Sequence, residues 1–222
     1  EKVLIGLSGG IDSALTATVA VDALGSKNVI GVAMPSKYNS KESLLDAKSL
    51  AENLKIEFKT IEIERIVENF RATLTGVINE ELGQTTDENI QSRVRGNILM
   101  ALSNQTGAMV VSTGNKSEMA VGYSTLYGDL AGGFALLKDL YKTEVYNLSN
   151  FRNTISKVIP QNTIDKEPSA ELRPNQFDKD SLPEYDLLDK ILHLYIEEDS
   201  SSEKIISTGI DDKIVYAVLY KV

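Results

Sequence analysis

The sequence predicts an α/β protein built on a doubly wound parallel sheet. Short runs rich in Val and Ile alternate with longer amphipathic segments from the start of the chain. Repeated strand–helix–strand units imply parallel strands, right-handed crossovers and helices on both faces of the sheet. A glycine-rich turn also follows the first strand, at the edge of an open α/β sheet where ligands bind.

Four short segments are predicted to be strands, and the first of them has the β-branched composition of a buried strand. They are residues 2–7, 28–34, 57–61 and 108–112, and 133–137 is a weaker candidate for a fifth strand. Pro35 ends the second of these segments.

Seven longer segments are predicted to be helices, namely 13–24, 40–53, 66–81, 87–104, 142–153, 183–197 and 202–222. In the first, Leu15, Val19 and Ala23 share one face and Gly25 is the C-terminal stop. The last two add C-terminal helices to the sheet, and a capping box at Ser181 and Glu184 precedes the first of them. Residues 167–182 carry two prolines and several charges, so we expect a loop that is long enough to be functional.

Composition excludes several kinds of function. The 222 residues include 23 Lys and Arg, 32 Asp and Glu, one His and no Cys, and the net charge is −9. Disulfides, thiolate catalysis and Cys-ligated zinc are therefore excluded, and one His cannot form a His-based metal cluster. The acidic balance argues against nucleic acid and anionic membranes as partners. Because no apolar run is long enough to span a bilayer and no secretory signal is present, we expect a cytoplasmic protein.

The glycine-rich turn has the properties of a phosphate-binding loop. It consists of Gly6, Leu7, Ser8, Gly9, Gly10, Ile11, Asp12 and Ser13. Adjacent glycines allow close approach to an anion, the serines add hydroxyl donors, and the following helix presents free N–H groups and its positive dipole end. Asp12 would repel phosphate unless a Mg²⁺ ion bridged the two, so the loop predicts a Mg²⁺-bound nucleotide.

The alternative interpretation is a simple turn in which Asp12 or Ser13 caps the helix. The loop is neither a Walker A motif nor a dinucleotide GxGxxG motif. It resembles the pyrophosphate-binding loop of the ATP pyrophosphatases, which include GMP synthetase, asparagine synthetase, tRNA-modifying ligases and NAD synthetase. These enzymes adenylylate a substrate oxygen and release pyrophosphate, and the loop alone does not choose among them.

A second turn, TGNKSE at 113–118, follows the fourth strand. If the sheet changes direction between its first and fourth strands, this turn and the glycine loop border one crevice. Glu118 and Asp12 can then share a metal ion. A capping box formed by Asn115 and Glu118 explains the same spacing equally well.

Other polar residues allow two interpretations each. Lys142 begins a predicted helix, where a cation is unfavourable unless it contacts an anion, and a solvated surface lysine is the alternative that spacing favours. Ser169 looks locally like a helix N-cap. Arg93 and Arg95 lie about 200° apart around a helix, so at most one contacts a ligand and the other pairs with carboxylates. His193 falls outside the apolar stripe of its helix and is predicted to face solvent.

Taken together, the motifs resemble those of NAD synthetases along nearly the whole chain. The matching stretches are GLSGGIDS (6–13), NIQSRVRGN (89–97), STGNKSEMAVGYSTLYGD (112–129), KDLYKTEVYNL (138–148) and PSAELRPNQFDKDSLPEYDLLD (168–189). GYSTLYGD and the long last stretch are most similar to the synthetase domain of the glutamine-dependent type.

This resemblance implies a fold, a reaction and an assembly. Residues 1–222 form one ATP pyrophosphatase domain with the adenine-nucleotide α-hydrolase-like, Rossmann-like sheet. Nicotinic acid adenine dinucleotide (deamido-NAD), ATP and ammonia give NAD, AMP and pyrophosphate through an adenylylated intermediate. Members of the family form homodimers with the dinucleotide bound across the interface.

The resemblance also implies a role for each candidate residue. The ATP phosphates contact loop 6–13, Thr113, Lys142 and Ser169. The Mg²⁺ ligands are Asp12 and Glu118, which form the catalytic set with Lys142. The deamido-NAD contacts are Arg93, Glu118 and, near the nicotinate end, Asp129.

The glutamine-dependent enzymes carry an amidase domain with a catalytic Cys before this region, and usually a basic tail with a substrate-contacting lysine after it. This sequence begins almost directly on its first strand and ends at Val222. We therefore expect it to belong to a longer polypeptide with the amidase domain in cis. Because the chain has no Cys, we expect free ammonia rather than glutamine to support turnover.

Two other functions remain open at this point. One is a different ATP pyrophosphatase, either tRNA-modifying or similar to GMP synthetase; the missing Cys argues against thiolation and the acidic charge against tRNA. The other is a non-catalytic domain that senses ATP. Two metal-binding carboxylates, Asp12 and Glu118, argue against a sensor, since binding alone does not need both.

Overall fold

The computed structural model describes residues 2–78 and 80–222. Its strands are β1 (Val3–Gly6), β2 (Val29–Ala33), β3 (Glu57–Thr60), β4 (Met109–Ser112) and β5 (Phe134–Ala135). All are parallel and form one sheet in the order β3-β2-β1-β4-β5. Each lies within a segment predicted as a strand, so these predictions are confirmed, including the weak fifth one.

The centre of the sheet determines where a ligand can bind. Val3 of β1 pairs with Val29 of β2 on one side and with Met109 of β4 on the other. The chain therefore winds outward in opposite directions from β1 and β4. In an open parallel sheet such a switch point leaves a crevice at the carboxyl ends of the two strands.

The α-helices cover both faces of the sheet and continue beyond it. They are α1 (Ile11–Leu24), α2 (Lys41–Leu54), α3 (Glu64–Ile78), α4 (Gln84–Thr106), α5 (Lys116–Ala120), α6 (Lys142–Ile155), α7 (Gln161–Asp165), α8 (Tyr185–Leu192), α9 (Ser202–Ser207) and α10 (Asp212–Leu219). The predicted helix 66–81 corresponds to α3, and residue 79 of that prediction lies outside the described residues. None of the helices in residues 2–78 and 80–222 has both the length and the apolar character needed to cross a bilayer.

Alternate side chains of β1 point to opposite faces of the sheet, and each face has its own hydrophobic core. Ile5 packs with Ala17 of α1 and Leu50 of α2 on one face. Leu4 packs with Val94 of α4 on the other, where α3 also contributes. Burial of both faces explains why the central strands β1, β2 and β4 are nearly continuous apolar runs. The doubly wound α/β architecture is thereby confirmed.

The apolar stripe predicted for the first helix is wrong. Leu15 is buried, but Val19 is 37% exposed and Ala23 is also exposed. The small residues Ala14 and Ala17 face the core instead. Since α1 packs against the sheet, α2 and α6 together, its buried surface is wider than one stripe and favours small side chains.

The C-terminal helices differ from prediction at their ends. Glu184, not Ser181, is the N-cap of α8, so the predicted capping box is wrong. The single helix expected over 202–222 is divided into α9 and α10, because Gly209 adopts a φ of +93° between them. His193 is exposed, as predicted. Helices α8 to α10 pack on α5 and α6 around Leu188 and Ile191 and form a third core.

Candidate active site

A cavity of about 650 Å³ opens at the carboxyl ends of β1 and β4. It is lined by the glycine loop after β1, by the Thr113 turn after β4, by the first residue of α6 and by the segment 166–172. The two turns that sequence motifs singled out therefore border one crevice. This follows from the adjacency of β1 and β4 at the switch point of the sheet.

Gly9 adapts the glycine loop to its neighbour α2. Its φ is +83°, and a Cβ at this position would lie 2.1 Å from the carbonyl oxygen of Ser43. Only glycine satisfies both the left-handed backbone and this close approach. Gly10 is the N-cap of α1, so the interpretation in which Asp12 or Ser13 caps this helix is wrong.

Hydrogen bonds within the loop hold its curvature. The Ser13 hydroxyl donates to the Gly10 carbonyl at 3.0 Å, and the Ser8 hydroxyl accepts from the Gly10 amide at 3.1 Å. The two hydroxyl oxygens lie 3.3 Å apart. Because the loop leads directly into α1, the free amides of that helix's first turn open at the same place. The arrangement suits a phosphate chain.

Lys142 is the centre of charge in the site. Its ammonium Nζ donates to Asp12 Oδ2 at 2.6 Å and to Glu118 Oε1 at 3.0 Å. Only 3% of Lys142 is exposed, so the interpretation as a solvated surface lysine is wrong. The side chain does contact anions, and these are two carboxylates of the protein itself.

Burial and charge shift the titration of this group of residues. Burial alone would lower the pKa of Lys142, but the neighbouring Asp12 and Glu118 carboxylates outweigh it and raise that pKa. Burial raises the pKa of Glu118 to about 7; Lys142 opposes this rise and Asp12 adds to it. The site therefore holds a protonated lysine between two carboxyl groups.

Asn115 connects the two carboxylates through its side chain. Its amide oxygen accepts the backbone N–H of Glu118 at 3.0 Å, and its amide nitrogen donates to Asp12 Oδ1 at 2.8 Å. The predicted N-cap role of Asn115 on α5 is confirmed. The carboxylate of Glu118 turns toward Lys142, and the metal-binding role of Glu118 stays a prediction.

The donor set fits a magnesium ion. Asp12 and Glu118 bring carboxylate oxygens to one point, marked by the Lys142 ammonium that contacts both. Among the described residues, no three His, Cys, Asp or Glu side chains are grouped to enclose a metal. This agrees with the usual manner of Mg²⁺ binding, in which one or two carboxylates share the ion with substrate phosphates and water.

The segment 166–180 forms part of the cavity wall and is called the strap below. Ser169 lies in irregular backbone, so its interpretation as a helix N-cap is wrong; its hydroxyl accepts the Glu171 amide at 3.1 Å. Glu171 accepts hydrogen bonds from Asn39, Ser40 and Ser43 at 2.9, 3.0 and 2.7 Å. The strap is thereby attached to the start of α2, next to the glycine loop.

The two arginines of α4 point in different directions, as predicted. Arg93 is exposed and lies outside the cavity lining, with its Nε donating to the Leu126 carbonyl at 3.2 Å. Arg95 lines the cavity and donates to the Met34 carbonyl and to Asn39, both at 3.0 Å. The direct carboxylate partner expected for it is thus replaced by a carbonyl and an amide oxygen. Burial lowers the pKa of Arg95 to about 10.

Asp129 and Thr113 also line the cavity. Asp129 Oδ1 accepts from the Ser92 hydroxyl at 2.9 Å and from the Thr125 amide at 2.8 Å. These bonds attach the turn at 125–129 to α4 and fix the orientation of the carboxylate.

Several residues of the site were missed by sequence reasoning, namely Arg95, Asn115 as a partner of Asp12, Glu171, Asp178 and Tyr185. Asp178 is 5% exposed, lines the cavity and accepts the Tyr185 hydroxyl at 2.8 Å. Three of these residues, Glu171, Asp178 and Tyr185, lie in the long polar stretch at 168–189. The many charged residues of that stretch were the available sign that it does more than connect two elements. Spacing alone does not tell which of them turn inward.

Comparison with known proteins agrees with this geometry. The family model described as NAD synthase matches residues 1–222. The glutamine-dependent NAD(+) synthetase of Thermotoga maritima is 54% identical over 220 residues, which is 98% of this chain and 38% of that protein. The chain thus spans about two fifths of the length of the curated relatives it matches.

Two solved structures resemble the fold closely. One is the glutamine-dependent NAD+ synthetase of Acinetobacter baumannii in complex with ADP, 47% identical with a TM-score of 0.73 over 99% of this chain and 39% of that one. The other is the NMN synthetase of Francisella tularensis, 30% identical with a TM-score of 0.83 over 100% of this chain and 83% of that one. On the family model and these identities, the chain belongs to the NAD synthase family.

Proposed function

We propose that this chain catalyses the ATP-dependent amidation of deamido-NAD by ammonia, giving NAD, AMP and pyrophosphate. The observation that carries the proposal is the buried Lys142 between Asp12 and Glu118, next to a glycine loop in a cavity of about 650 Å³. Such a site combines anion-binding amides, a fixed cation and two carboxylates. These are the groups that transfer of a nucleotide needs.

The glycine loop binds the phosphates of ATP in this proposal. The amides at the start of α1 and the hydroxyls of Ser8 and Ser13 face the position of the pyrophosphate portion. Thr113 and Ser169, both on the cavity wall, complete the set. The complex of the Acinetobacter relative with ADP supports nucleotide binding in this fold.

The chain's own residues promote adenylylation by position and charge. A carboxylate oxygen of deamido-NAD attacks the α-phosphorus of ATP, and the bond from that phosphorus to the departing pyrophosphate breaks. Lys142 stabilises the negative charge that develops on the leaving group, together with the preorganised loop amides. Because Lys142 is already oriented by Asp12 and Glu118, little reorganisation is needed.

Amidation then needs no nucleophile from the protein. Ammonia attacks the acyl carbon of the adenylate, AMP leaves, and the amide of NAD forms. The absence of Cys from the sequence agrees with this course. A Mg²⁺ ion held by Asp12 and Glu118 would neutralise charge on the ATP phosphates when bound.

The dinucleotide contacts extend beyond the cavity. Asp129 is on its wall and suits the nicotinate end, whereas Arg93 is on the exposed surface of α4. An exposed Arg93 fits the proposal that two copies form a homodimer and that the dinucleotide is shared across their interface.

The source of ammonia is part of the same proposal. The relatives from Thermotoga maritima and Aquifex aeolicus are longer proteins that are named glutamine-dependent NAD(+) synthetases. We infer that an amidase domain in the same polypeptide releases ammonia from glutamine. Since this chain has no Cys, free ammonium replaces glutamine when the chain acts alone.

A second candidate is NMN synthetase activity. The likeness to the Francisella NMN synthetase covers 83% of that protein with a TM-score of 0.83. The Thermotoga relative, with 54% identity, favours the dinucleotide. The two candidates differ in the size of the substrate and not in the chemistry at Lys142.

A product assay tests the proposal. The chain is supplied with Mg²⁺-ATP, ammonium or glutamine, and either deamido-NAD or nicotinic acid mononucleotide, and all nucleotides are quantified. Equal amounts of NAD, AMP and pyrophosphate, with ammonium and not with glutamine, are expected from deamido-NAD. Amidation of the mononucleotide alone would establish the second candidate, and adenylylation of neither carboxylate would contradict both.

A further inference from the structure

Asp189 lies outside the cavity and yet contacts the two helices that carry Glu118 and Lys142. It belongs to α8, in the third core, and only 5% of it is exposed. One carboxylate oxygen accepts the hydroxyl of Ser117 in α5. The other accepts the backbone N–H of Thr143 in α6 at 2.9 Å.

These contacts continue to the residues next in sequence. Ser117 directly precedes Glu118, and its hydroxyl oxygen accepts the backbone N–H of Lys142 at 2.8 Å. A chain of hydrogen bonds therefore runs from the Lys142 amide through Ser117 to Asp189. The same carboxylate caps the first turn of α6 at Thr143, where free amides otherwise need partners.

The surroundings of Asp189 are apolar. Its neighbours in α8, Leu188 and Ile191, are fully buried. Burial raises the pKa of Asp189, and the hydrogen bonds from Ser117 and Thr143 oppose this rise. A carboxyl group in such a place is retained at a cost, because hydrophobic side chains fill cores without needing partners.

We propose that Asp189 is a positioning residue that sets the relative placement of Lys142 and Glu118 through Ser117 and the start of α6. The inference rests on the proposed function. It extends that function from the cavity to the C-terminal helices, which hold α5 and α6 at a fixed separation. Asp189 touches no substrate in this account and acts only through its two partners.

An amide cannot fully replace this carboxylate. Asp189 accepts at both oxygens, from the Ser117 hydroxyl and from the Thr143 N–H. Asn at this position has one oxygen and one NH₂ group, so it accepts only one of these two hydrogen bonds well and the other donor loses its acceptor. Because Asn has nearly the same size as Asp, the change affects the hydrogen bonds to Ser117 and Thr143 and not the packing of the core.

The test compares Asp189→Asn with Asp186→Asn, an exposed aspartate in the same helix. Turnover with saturating ATP, deamido-NAD and ammonium, the KM for ATP and urea unfolding are measured for each. We expect kcat of Asp189→Asn to fall by about tenfold or more, as for other residues that orient a reactive group, with the KM for ATP little changed. Asp186→Asn should match the unaltered chain.

Ser117→Ala gives an independent test of the route. If Asp189 acts through Ser117, the double variant loses little more activity than either single variant. A kcat per folded molecule that is unchanged in Asp189→Asn, with only the free energy of unfolding reduced, would overturn the proposal and leave a structural cap.

Inactivity of the unaltered chain would contradict the proposed function and not this inference. Crystal structures of the unaltered and Asp189→Asn chains then decide it. A shift of Lys142 relative to Glu118 is the expected result, and an unmoved pair would overturn the positioning role.

Discussion

Lys142 stands at a position that local rules make unfavourable for a cation, the first residue of a helix. The structure explains the exception, because the Lys142 ammonium contacts the carboxylates of Asp12 and Glu118. These two residues are separated from Lys142 by 130 and 24 positions in the sequence. Neither partner can be identified from helix periodicity. A lysine that looks like a surface residue in the sequence is therefore buried through contacts made only in the folded chain.

Replacement of Lys142 by Met is expected to destabilise the fold. Two partly buried carboxylates lose their common cation, and breaking such a buried pair typically costs about 3–5 kcal/mol. Urea unfolding measures the loss. Added Mg²⁺ should restore part of it, since the ion has the same charge sign and finds two oxygen ligands. The matched control is Lys213→Met, which replaces an exposed lysine in the first turn of α10 and should change the free energy of unfolding little. Equal losses of stability in both variants would contradict the role of the ion pairs.

Asp12→Asn is expected to lower the rate of AMP formation by roughly 10²-fold or more, the usual effect of removing one electrostatic group from a reactive site. The change removes the charge that orients Lys142 and a proposed Mg²⁺ ligand while keeping the side chain's size. Asp22→Asn, in the same helix but paired with Arg152 outside the cavity, serves as control. Full activity in Asp12→Asn would exclude the proposed metal and phosphate chemistry.

For single residues, the sequence predicts that Asp12 and Glu118 border one crevice, and the structure brings their carboxylates together around Lys142. Predictions for the neighbouring hydroxyl groups were less accurate. The adjacency of the turns containing Asp12 and Glu118 follows from sheet topology, which periodicity predicts well. The local caps assigned to Ser13 and Ser169 failed, because a hydroxyl near a turn has several possible partners and only tertiary packing selects one. The substrate roles of Arg93 and Asp129 stay predictions.

Among the elements, the glycine loop depends on its contact with α2. Gly9→Ala is expected to move the loop, since its Cβ would lie 2.1 Å from the Ser43 carbonyl. Calorimetric titration should show at least about tenfold weaker binding of Mg²⁺-ATP, because loop amides displaced by an ångström no longer match the phosphates.

Gly107→Ala is the control for backbone strain alone. Gly107 has a φ of +71°, and an added Cβ would meet open space among the described residues. This variant should lose about 1–2 kcal/mol of stability with unchanged ATP binding. Equal ATP affinity in Gly9→Ala and Gly107→Ala would contradict the importance of the contact with α2.

The strap is attached to the start of α2 through Glu171, which has a φ of +49° and accepts three side-chain hydrogen bonds. Lys166 adds a second attachment, since its Nζ donates to the Ser43 hydroxyl at 2.8 Å. Glu171→Ala should release the segment 166–180, and amide hydrogen exchange there should become faster than in the unaltered chain. Glu167→Ala, an exposed residue of the same strap, should leave exchange of the segment nearly unchanged. Slow exchange in both variants would show that other contacts hold the strap.

Element prediction succeeded where one physical pattern dominates. The central strands β1, β2 and β4 are largely buried and rich in Val and Ile, and all five strands lie within predicted segments. The prediction of a single apolar stripe failed for the first helix. Helix α1 packs against the sheet, against α2 and against α6, and alanines form much of its buried surface. The C-terminal helix was predicted too long, since a single Gly209 reverses the backbone where helical periodicity continues on both sides.

At the scale of the whole molecule, the sheet and the C-terminal helices meet at the site. The switch point between β1 and β4 places the glycine loop opposite the Thr113 turn. The third core, built by α8 to α10, supports α5 and α6 from the other side. The relative position of Lys142 and Glu118 thus depends on packing far along the chain from the glycine loop.

The third core can be weakened separately. Ile191→Ala removes a fully buried side chain of α8 and should cost about 2–5 kcal/mol of stability. Because α8 supports α6 and α5, kcat should fall more than the KM for ATP rises. Val19→Ala, at a 37% exposed position of α1, is expected to change both quantities little. Loss of ATP affinity without loss of kcat in Ile191→Ala would contradict this division between binding and catalysis.

Transfer of ¹⁸O from the carboxylate of deamido-NAD tests the central claim most directly. The labelled substrate is incubated with Mg²⁺-ATP, ammonium and the chain, and AMP, pyrophosphate and NAD are separated and analysed by mass spectrometry. If the substrate carboxylate attacks the α-phosphorus, each AMP carries one ¹⁸O, pyrophosphate carries none and the NAD amide keeps the other. Label in pyrophosphate, or NAD formed with unlabelled AMP, would contradict an adenylylated intermediate at the Asp12–Lys142–Glu118 site.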